Sequence, residues 1–178
     1  TLYNSPSLLF QLADTLRKKA AGDVVTYIIN RNINFTNKCM GTCKFCAFRQ
    51  QDGFILSIPQ IMEKIREATK INATEVCNQG GLLPDWDINN YCEILEAIHN
   101  EFPEIHIHAF SPMEVFHAAH NSNMSIKETL SQLKRSGLDS MPGTAAEILS
   151  DRVREEICPD KLTTHEWIDV VRTAHRTG

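Results

Sequence analysis

Thr36-Asn37-Lys38-Cys39-Met40-Gly41-Thr42-Cys43-Lys44-Phe45-Cys46 places three cysteines at C-x3-C-x2-C spacing directly after Val24 to Phe35, a partly alternating β-branched run that reads as a strand. The spacing offers three thiolates. A structural zinc ion is normally closed by four protein ligands, whereas a cubane iron-sulfur cluster held by three cysteines keeps one iron open for a small molecule. Closure of a zinc knuckle by a histidine or by Cys77, Cys92 or Cys158 stays open at this point, although zinc modules favour paired C-x2-C halves. Disulfides fit poorly, because three close cysteines cannot all pair with one another and no secretory signal precedes them. A reducing cytoplasm is the expected setting.

Outward from the cysteines, the chain repeats a strand-helix cadence. Helical spacing runs from Leu8 to Ala20, from Ser57 to Ile71 and from Asp87 to Phe102. It returns from Ser125 to Ser136, Ala145 to Ile157 and Thr164 to Arg176. S/T-x-x-E/Q boxes open four of these, at Ser57, Ser125, Thr144 and Thr163, and Gly137 should close one of them with a positive φ. Short strands are expected at Ala73 to Asn78, Ile105 to Phe110 and Leu138 to Met141. Consecutive βα units pack as a parallel sheet with right-handed crossovers. The expected fold class is therefore α/β, a partial (βα) barrel covering about the first four βα units. Residues 1–23 form a helical segment that precedes or caps the sheet, and residues 24–178 form the N-terminal half of a truncated barrel domain. A complete four-stranded α/β domain is the alternative.

The 178 residues are 42% hydrophobic and 22% charged with a net charge of -4, which offers no large basic patch for nucleic acid. No apolar run approaches the ~20 residues that span a bilayer. Neither nucleic acid nor membrane is an expected partner.

In a parallel barrel the carboxyl ends of the strands open on one face, so four loops should converge there. They are the cysteine loop, Gln79-Gly80-Gly81, Ser111-Pro112-Met113-Glu114 and Pro142-Gly143-Thr144. The glycine pair points to close backbone approach or positive φ. His106 and His108, two apart on one strand face, are candidates for substrate contact or proton transfer, or are a hydrogen-bonded pair. Their spacing also suits a metal, but the sequence shows no third ligand. Arg31 and Asn34 face either the cavity or a neighbouring helix. Glu147 is either a ligand-binding carboxylate or the partner of Thr144 in a capping box.

The cysteine motif, with aromatic Phe45 just before its third cysteine, resembles the signature of the radical S-adenosylmethionine superfamily. Asn32 to Asn37, Cys46 to Arg49, Thr74 to Gly81, Ile105 to Val115, Met141 to Leu149 and Ile157 to Leu162 are similar to one branch of it, the tyrosine-using family of deazaflavin (Fo) synthase subunits. The resemblance implies a 4Fe-4S cluster on Cys39, Cys43 and Cys46, with S-adenosyl-L-methionine on the open iron. It also implies cofactor contacts from Phe45, Gln79, Gly80, Gly81, Ser111 and Glu147. Leu82 stands where the superfamily often has a glutamate after its glycine pair, which removes a side chain but not the backbone carbonyls.

The implied substrates are L-tyrosine, cleaved at Cα–Cβ after hydrogen abstraction, and 5-amino-6-(D-ribitylamino)uracil, which receives the 4-hydroxybenzyl group. An electron donor such as a ferredoxin or flavodoxin is implied, with a partner radical subunit. Futalosine-route menaquinone enzymes share the cluster loop and the Gln-Gly-Gly turn and are the alternative within the class. A non-catalytic module stabilised by metal is the alternative outside it.

Overall fold

The structure, a computed structural model, describes residues 4–178. Its elements in chain order are α1 (Pro6–Ala21), β1 (Asn30–Asn34), α2 (Ile58–Lys70), β2 (Glu75–Gln79), α3 (Ile88–Glu101), β3 (His106–Ala109), α4 (Pro112–Asn121), α5 (Ile126–Arg135), α6 (Asp151–Ile157) and α7 (Thr164–Thr177). The strands pair in parallel in the order β1-β2-β3, Asn30 opposite Glu75 and Glu75 opposite His106. This is the expected partial barrel. Each strand is followed by a helix that crosses back over one side of the sheet.

Period-two alternation gives the sheet two unlike faces. Ile33, Val76, Ile107 and Ala109 point into the helix layer and are buried. There they meet Ile61 and Ile65 of α2, Leu95 and Ile98 of α3, Val115 of α4 and Leu133 of α5. The opposite face carries Asn30, Asn32, Asn34, Glu75, Cys77, Gln79, His106 and His108, a polar, concave surface. At the carboxyl end of the sheet an aromatic cluster closes the core. Phe35 stacks on Trp86 at 5.1 Å, and Tyr91 meets Phe110 edge-on at 4.8 Å.

Several expectations need correction. The first strand is shorter than Val24 to Phe35, because its partner β2 begins only after the turn at Asn72, which has φ 57°. The ladder starts where Ile29 O accepts from Thr74 and Glu75, and Val24, Val25, Tyr27 and Ile28 stay exposed. The fourth strand reduces to one parallel bridge, His108 to Ser140. Asp139 takes the Ile107 N–H with its side chain at 2.8 Å, and Pro142 has no N–H to extend the ladder.

Among the helices, α4 occupies residues read as a loop, opened by a Ser111–Glu114 capping box with Pro112 at its first position. The Thr144–Glu147 box opens nothing, since Ala145 and Glu147 have positive φ and α6 starts at Asp151. In place of a helical turn, the buried Arg154 guanidinium donates to the carbonyls of Ala145, Ala146, Ile148 and Leu162. α1, which precedes β1, buries none of its residues. Gly137 does close α5 with φ 112°.

Candidate active site

The cysteine loop is held by backbone and side-chain bonds from two other segments, one at Leu82 and one at Ile157 to Asp160. Met40 N–H donates to Leu82 O at 2.9 Å, and Lys44 N–H donates to Ile157 O at 2.8 Å. Asp160 accepts from the Thr42 N–H at 2.8 Å and from its hydroxyl. Within the loop, Arg49 donates to Gly41 O. Cys39 Sγ accepts from two backbone N–H groups, those of Leu82 at 3.3 Å and Gly41 at 3.4 Å. Leu82 therefore contributes to the site through its backbone.

All six cysteines are free thiols. Cys39, Cys43 and Cys46 line one cavity of about 250 Å³ together with Gln79, Gly80, Gly81, Ser111, Glu114 and Thr144. The four expected loops thus converge. A fifth segment, Asp160-Lys161, joins them. Burial pushes the Cys43 thiol up, Lys161 pulls it down, and the neighbouring Cys158, Cys39 and Cys46 push it up further.

Gly80 and Gly81 do not adopt positive φ; they are glycines because there is no room for a side chain. A Cβ on Gly80 would overlap the Phe35 ring, with Cζ at 2.6 Å. A Cβ on Gly81 would overlap the Lys38 carbonyl oxygen and lie 2.7 Å from Cys39 Cβ. The aromatic cluster and the cysteine loop are pressed against the two sides of this turn.

Glu114 fixes the turn from below. Its Oε1 accepts from Gly80 N–H at 3.0 Å, and its Oε2 accepts from the Ser111 N–H and hydroxyl, each at 2.6 Å. Burial pushes this carboxyl from its ordinary 4.5 up to about 7, against the pull of the Ser111 and Gly80 bonds. The folded value lies above the unfolded one, so the folded chain gains a proton relative to the unfolded chain between them. The stability contribution of Glu114 is therefore fully present below about pH 4.5 and is lost as pH rises through about 7. Denaturant unfolding of the native chain and of Glu114→Gln checks this. The difference in unfolding free energy should drift against the native chain by on the order of 3 kcal/mol between about pH 4.5 and 8. A difference that is flat across that window contradicts the reading.

The remaining sequence candidates divide. Gln79 lines the cavity, donates to Cys77 Sγ at 3.1 Å and accepts from the Thr144 hydroxyl at 3.3 Å. Ser111 lines it too, but its hydroxyl is engaged with Glu114. Glu147 lines the cavity and, instead of capping a helix, accepts from Lys161 Nζ at 2.7 Å. Phe45 lies outside the lining; its half-exposed ring sits beneath Lys161 Nζ, 5.2 Å from the centroid. Asn34 belongs to the concave face. Arg31 does not: alternation turns it to the helix side, where Nη2 lies 3.9 Å from Glu67 of α2. His106 and His108 share the concave face but lie below the cysteine cavity, and each places a ring nitrogen 2.7 Å from Ser140 Oγ.

Sequence reading missed the roles of Glu114, Asp160 and Lys161. Only Glu114 had a local signal, the S-x-x-E box. The other two reach the cavity through the turn between α6 and α7, which spacing does not reveal.

The chain is 66% identical over 173 residues to a 5-amino-6-(D-ribitylamino)uracil--L-tyrosine 4-hydroxyphenyl transferase 1 of Methanosarcina barkeri, covering 97% of this chain and 46% of that protein. It is 54% identical over 177 residues to the corresponding transferase of Archaeoglobus fulgidus, covering 99% and 52%. The chain thus spans about half the length of the curated relatives it matches. Its fold is similar to that of the FeFe-hydrogenase maturase HydG from Carboxydothermus hydrogenoformans, with TM-score 0.68, 18% identity and coverage of 97% of this chain and 38% of that one. Residues 33–178, which include all three loop cysteines and the full parallel sheet from Ile33 onward, match the model of the Radical SAM superfamily, and the chain belongs to that superfamily.

Proposed function

We propose that this chain is the cluster-binding part of a transferase that cleaves L-tyrosine at Cα–Cβ and passes the 4-hydroxybenzyl group to 5-amino-6-(D-ribitylamino)uracil, in deazaflavin coenzyme synthesis. The observation that carries the reading is the coincidence of a three-thiol cavity with 54–66% identity, over nearly the whole chain, to proteins named for that reaction.

Two features of the chain fit a 4Fe-4S cluster with S-adenosyl-L-methionine. The donor set is three free thiols, and among the described residues only Glu75, His106 and His108 gather three metal-ligating atoms within 4.8 Å. The second feature is the side-chain-free floor at Gly80 and Gly81, whose carbonyl oxygens accept no hydrogen bond from a described residue. When bound, the cluster and S-adenosylmethionine supply one-electron cleavage of a sulfonium and a carbon radical that takes a hydrogen atom from the substrate.

Cys39, Cys43 and Cys46 would hold the cluster as thiolates. The two N–H groups on Cys39 stabilise negative charge at that sulfur, and Lys161, fixed by Glu147 and Phe45, supplies a cation beside Cys43. Gly80 and Gly81 would offer backbone carbonyls to the methionine amino group of S-adenosylmethionine, and Gln79, Ser111 and Glu147 would border the cofactor. Asn34, His106 and His108 offer polar contacts to substrate on the concave face, and Arg31 drops out of that set. The electron comes from a small carrier of the ferredoxin or flavodoxin type, a partner radical subunit shares the pathway, and a reducing cytoplasm suits the thiols.

The test is the anaerobically reconstituted enzyme, supplied with a reductant, tyrosine and the diaminouracil. The expected result is about four irons per chain, a change in the electron paramagnetic resonance signal on adding S-adenosylmethionine, and a 4-hydroxybenzylated uracil. Turnover of futalosine-route substrates in its place would move the enzyme to menaquinone synthesis. Tightly bound zinc with no iron would make the chain a metal-stabilised module.

A further inference from the structure

We propose that Glu75, His106 and His108 form a second metal site, for one divalent first-row cation of the zinc type, on the concave face of the sheet. The inference concerns residues remote from the cysteines and does not rest on the transferase reading. Glu75 and His106 are register partners on β2 and β3, and His108 follows two residues on, so strand alternation turns all three to the same side. Their ligand atoms lie within 4.8 Å of one another. His106 Nε2 is 3.9 Å from Glu75 Oε2.

The surroundings are those of a supported site. The Asn30 amide donates to Glu75 Oε1, which leaves Oε2 to face the imidazoles. Ser140 Oγ lies 2.7 Å from both His106 Nε2 and His108 Nδ1, so a single oxygen already bridges the two nitrogens a metal would use. Two imidazoles and a carboxylate are a recurrent donor set for zinc and for other divalent first-row ions, and three protein ligands leave a position open for an oxygen or nitrogen of a small molecule. With Zn–N and Zn–O bonds of about 2.0–2.2 Å, the donors must end roughly 3.4 Å apart. The imidazoles therefore close by about an ångström and Ser140 gives way or becomes the fourth ligand. His106 is half exposed and free to make that movement.

The site lies away from the cysteine cavity. Gln79, which borders that cavity, is four residues along β2 from Glu75, or about 13 Å at the rise of a strand. An ion here would present its open position to the concave side, between the strand ends where the cysteines gather and the opposite rim.

The test uses the chain loaded anaerobically with iron, so that the loop thiols are occupied, and dialysed against zinc. One zinc per chain beyond the iron is expected, and cobalt in its place should give weak ligand-field bands without intense thiolate charge transfer. Loss of an outer-shell partner typically weakens a metal site by about 10–100-fold, so Asn30→Ala should fall in that range and His108→Ala and Glu75→Gln should lose at least as much. Circular dichroism and the denaturation midpoint of each variant establish that it is folded. Because iron loading and zinc binding are counted separately, failure of one is distinguishable from failure of the other. Absence of zinc binding, binding undiminished in the folded variants, or a thiolate-type cobalt spectrum would overturn the proposal. So would protection of His106 and His108 from chemical modification by tyrosine or the uracil but not by zinc, which would make the trio a purely organic substrate contact.

Discussion

Cys43→Ala should lower the iron of the reconstituted protein from about four per chain to below about one, and abolish turnover with it. Cys43 lies in the middle of the loop, inside the cavity and beside Lys161, and the C-x3-C-x2-C run supplies no fourth cysteine to replace it. The matched control is Cys77→Ala. Cys77 is also half-buried and free, but it lies on the concave face outside the cavity lining, so its replacement should leave the iron content unchanged. Iron and activity retained in Cys43→Ala, or lost equally in Cys77→Ala, would contradict the assigned ligand set.

Gly81→Ala should act on the same readouts by a different route. The added methyl group overlaps the Lys38 carbonyl and crowds Cys39 Cβ, and these are backbone and near-backbone atoms that cannot swing aside. Relief requires the cysteine loop to lift from the turn, which strains the Met40 to Leu82 hydrogen bond and the Leu82 N–H on Cys39 Sγ. Overpacking of this kind costs about 1–3 kcal/mol or more, and here the cost falls on the ligand geometry. Iron loading should drop several-fold and the denaturation midpoint should fall. Gly143→Ala provides the contrast, since the nearest atom to a Cβ there is Trp167 Cζ2 at 3.9 Å. That change should remain within about ±0.5 kcal/mol. Equal effects from the two substitutions would show that the close approach at Gly81 is not what seats the loop.

The parts of the fold that could be read in the chain are those encoded locally. Capping boxes at Ser57, Ser125 and Thr163 mark real helix starts, and the buried alternation around Ile33, Val76 and Ile107 marks real strands. The same local signal misled at two places. Ser111-Pro112-Met113-Glu114 obeys the box as well as any, yet reading it as a cofactor loop hid α4. Thr144 and Glu147 satisfy the same pattern but start no helix, because Lys161 takes the carboxylate and Arg154 takes the carbonyls. Those partners are 8 to 14 residues away, a range over which spacing rules are silent.

At the site, the three cysteines and the glycine turn were legible because their spacing is short. Positive φ was the wrong one of two readings for the glycines, since the reason for them is a steric meeting of β1, the cysteine loop and β2. The third member of the histidine group was invisible for a related cause: Glu75 and His106 are 31 positions apart and become neighbours only through the parallel register. The sequence admits either face for Arg31, and the register puts it on the helix side.

The sheet keeps its packing on the convex side and its chemistry on the concave side, and this separates two kinds of selection. A change at Val76 or Ile107 is paid in folding free energy. A change at Asn32, Cys77 or His108 removes little buried apolar area, so most such substitutions should leave the scaffold standing. A half-shell built this way can be retuned for a different small molecule one residue at a time, without first acquiring surplus stability.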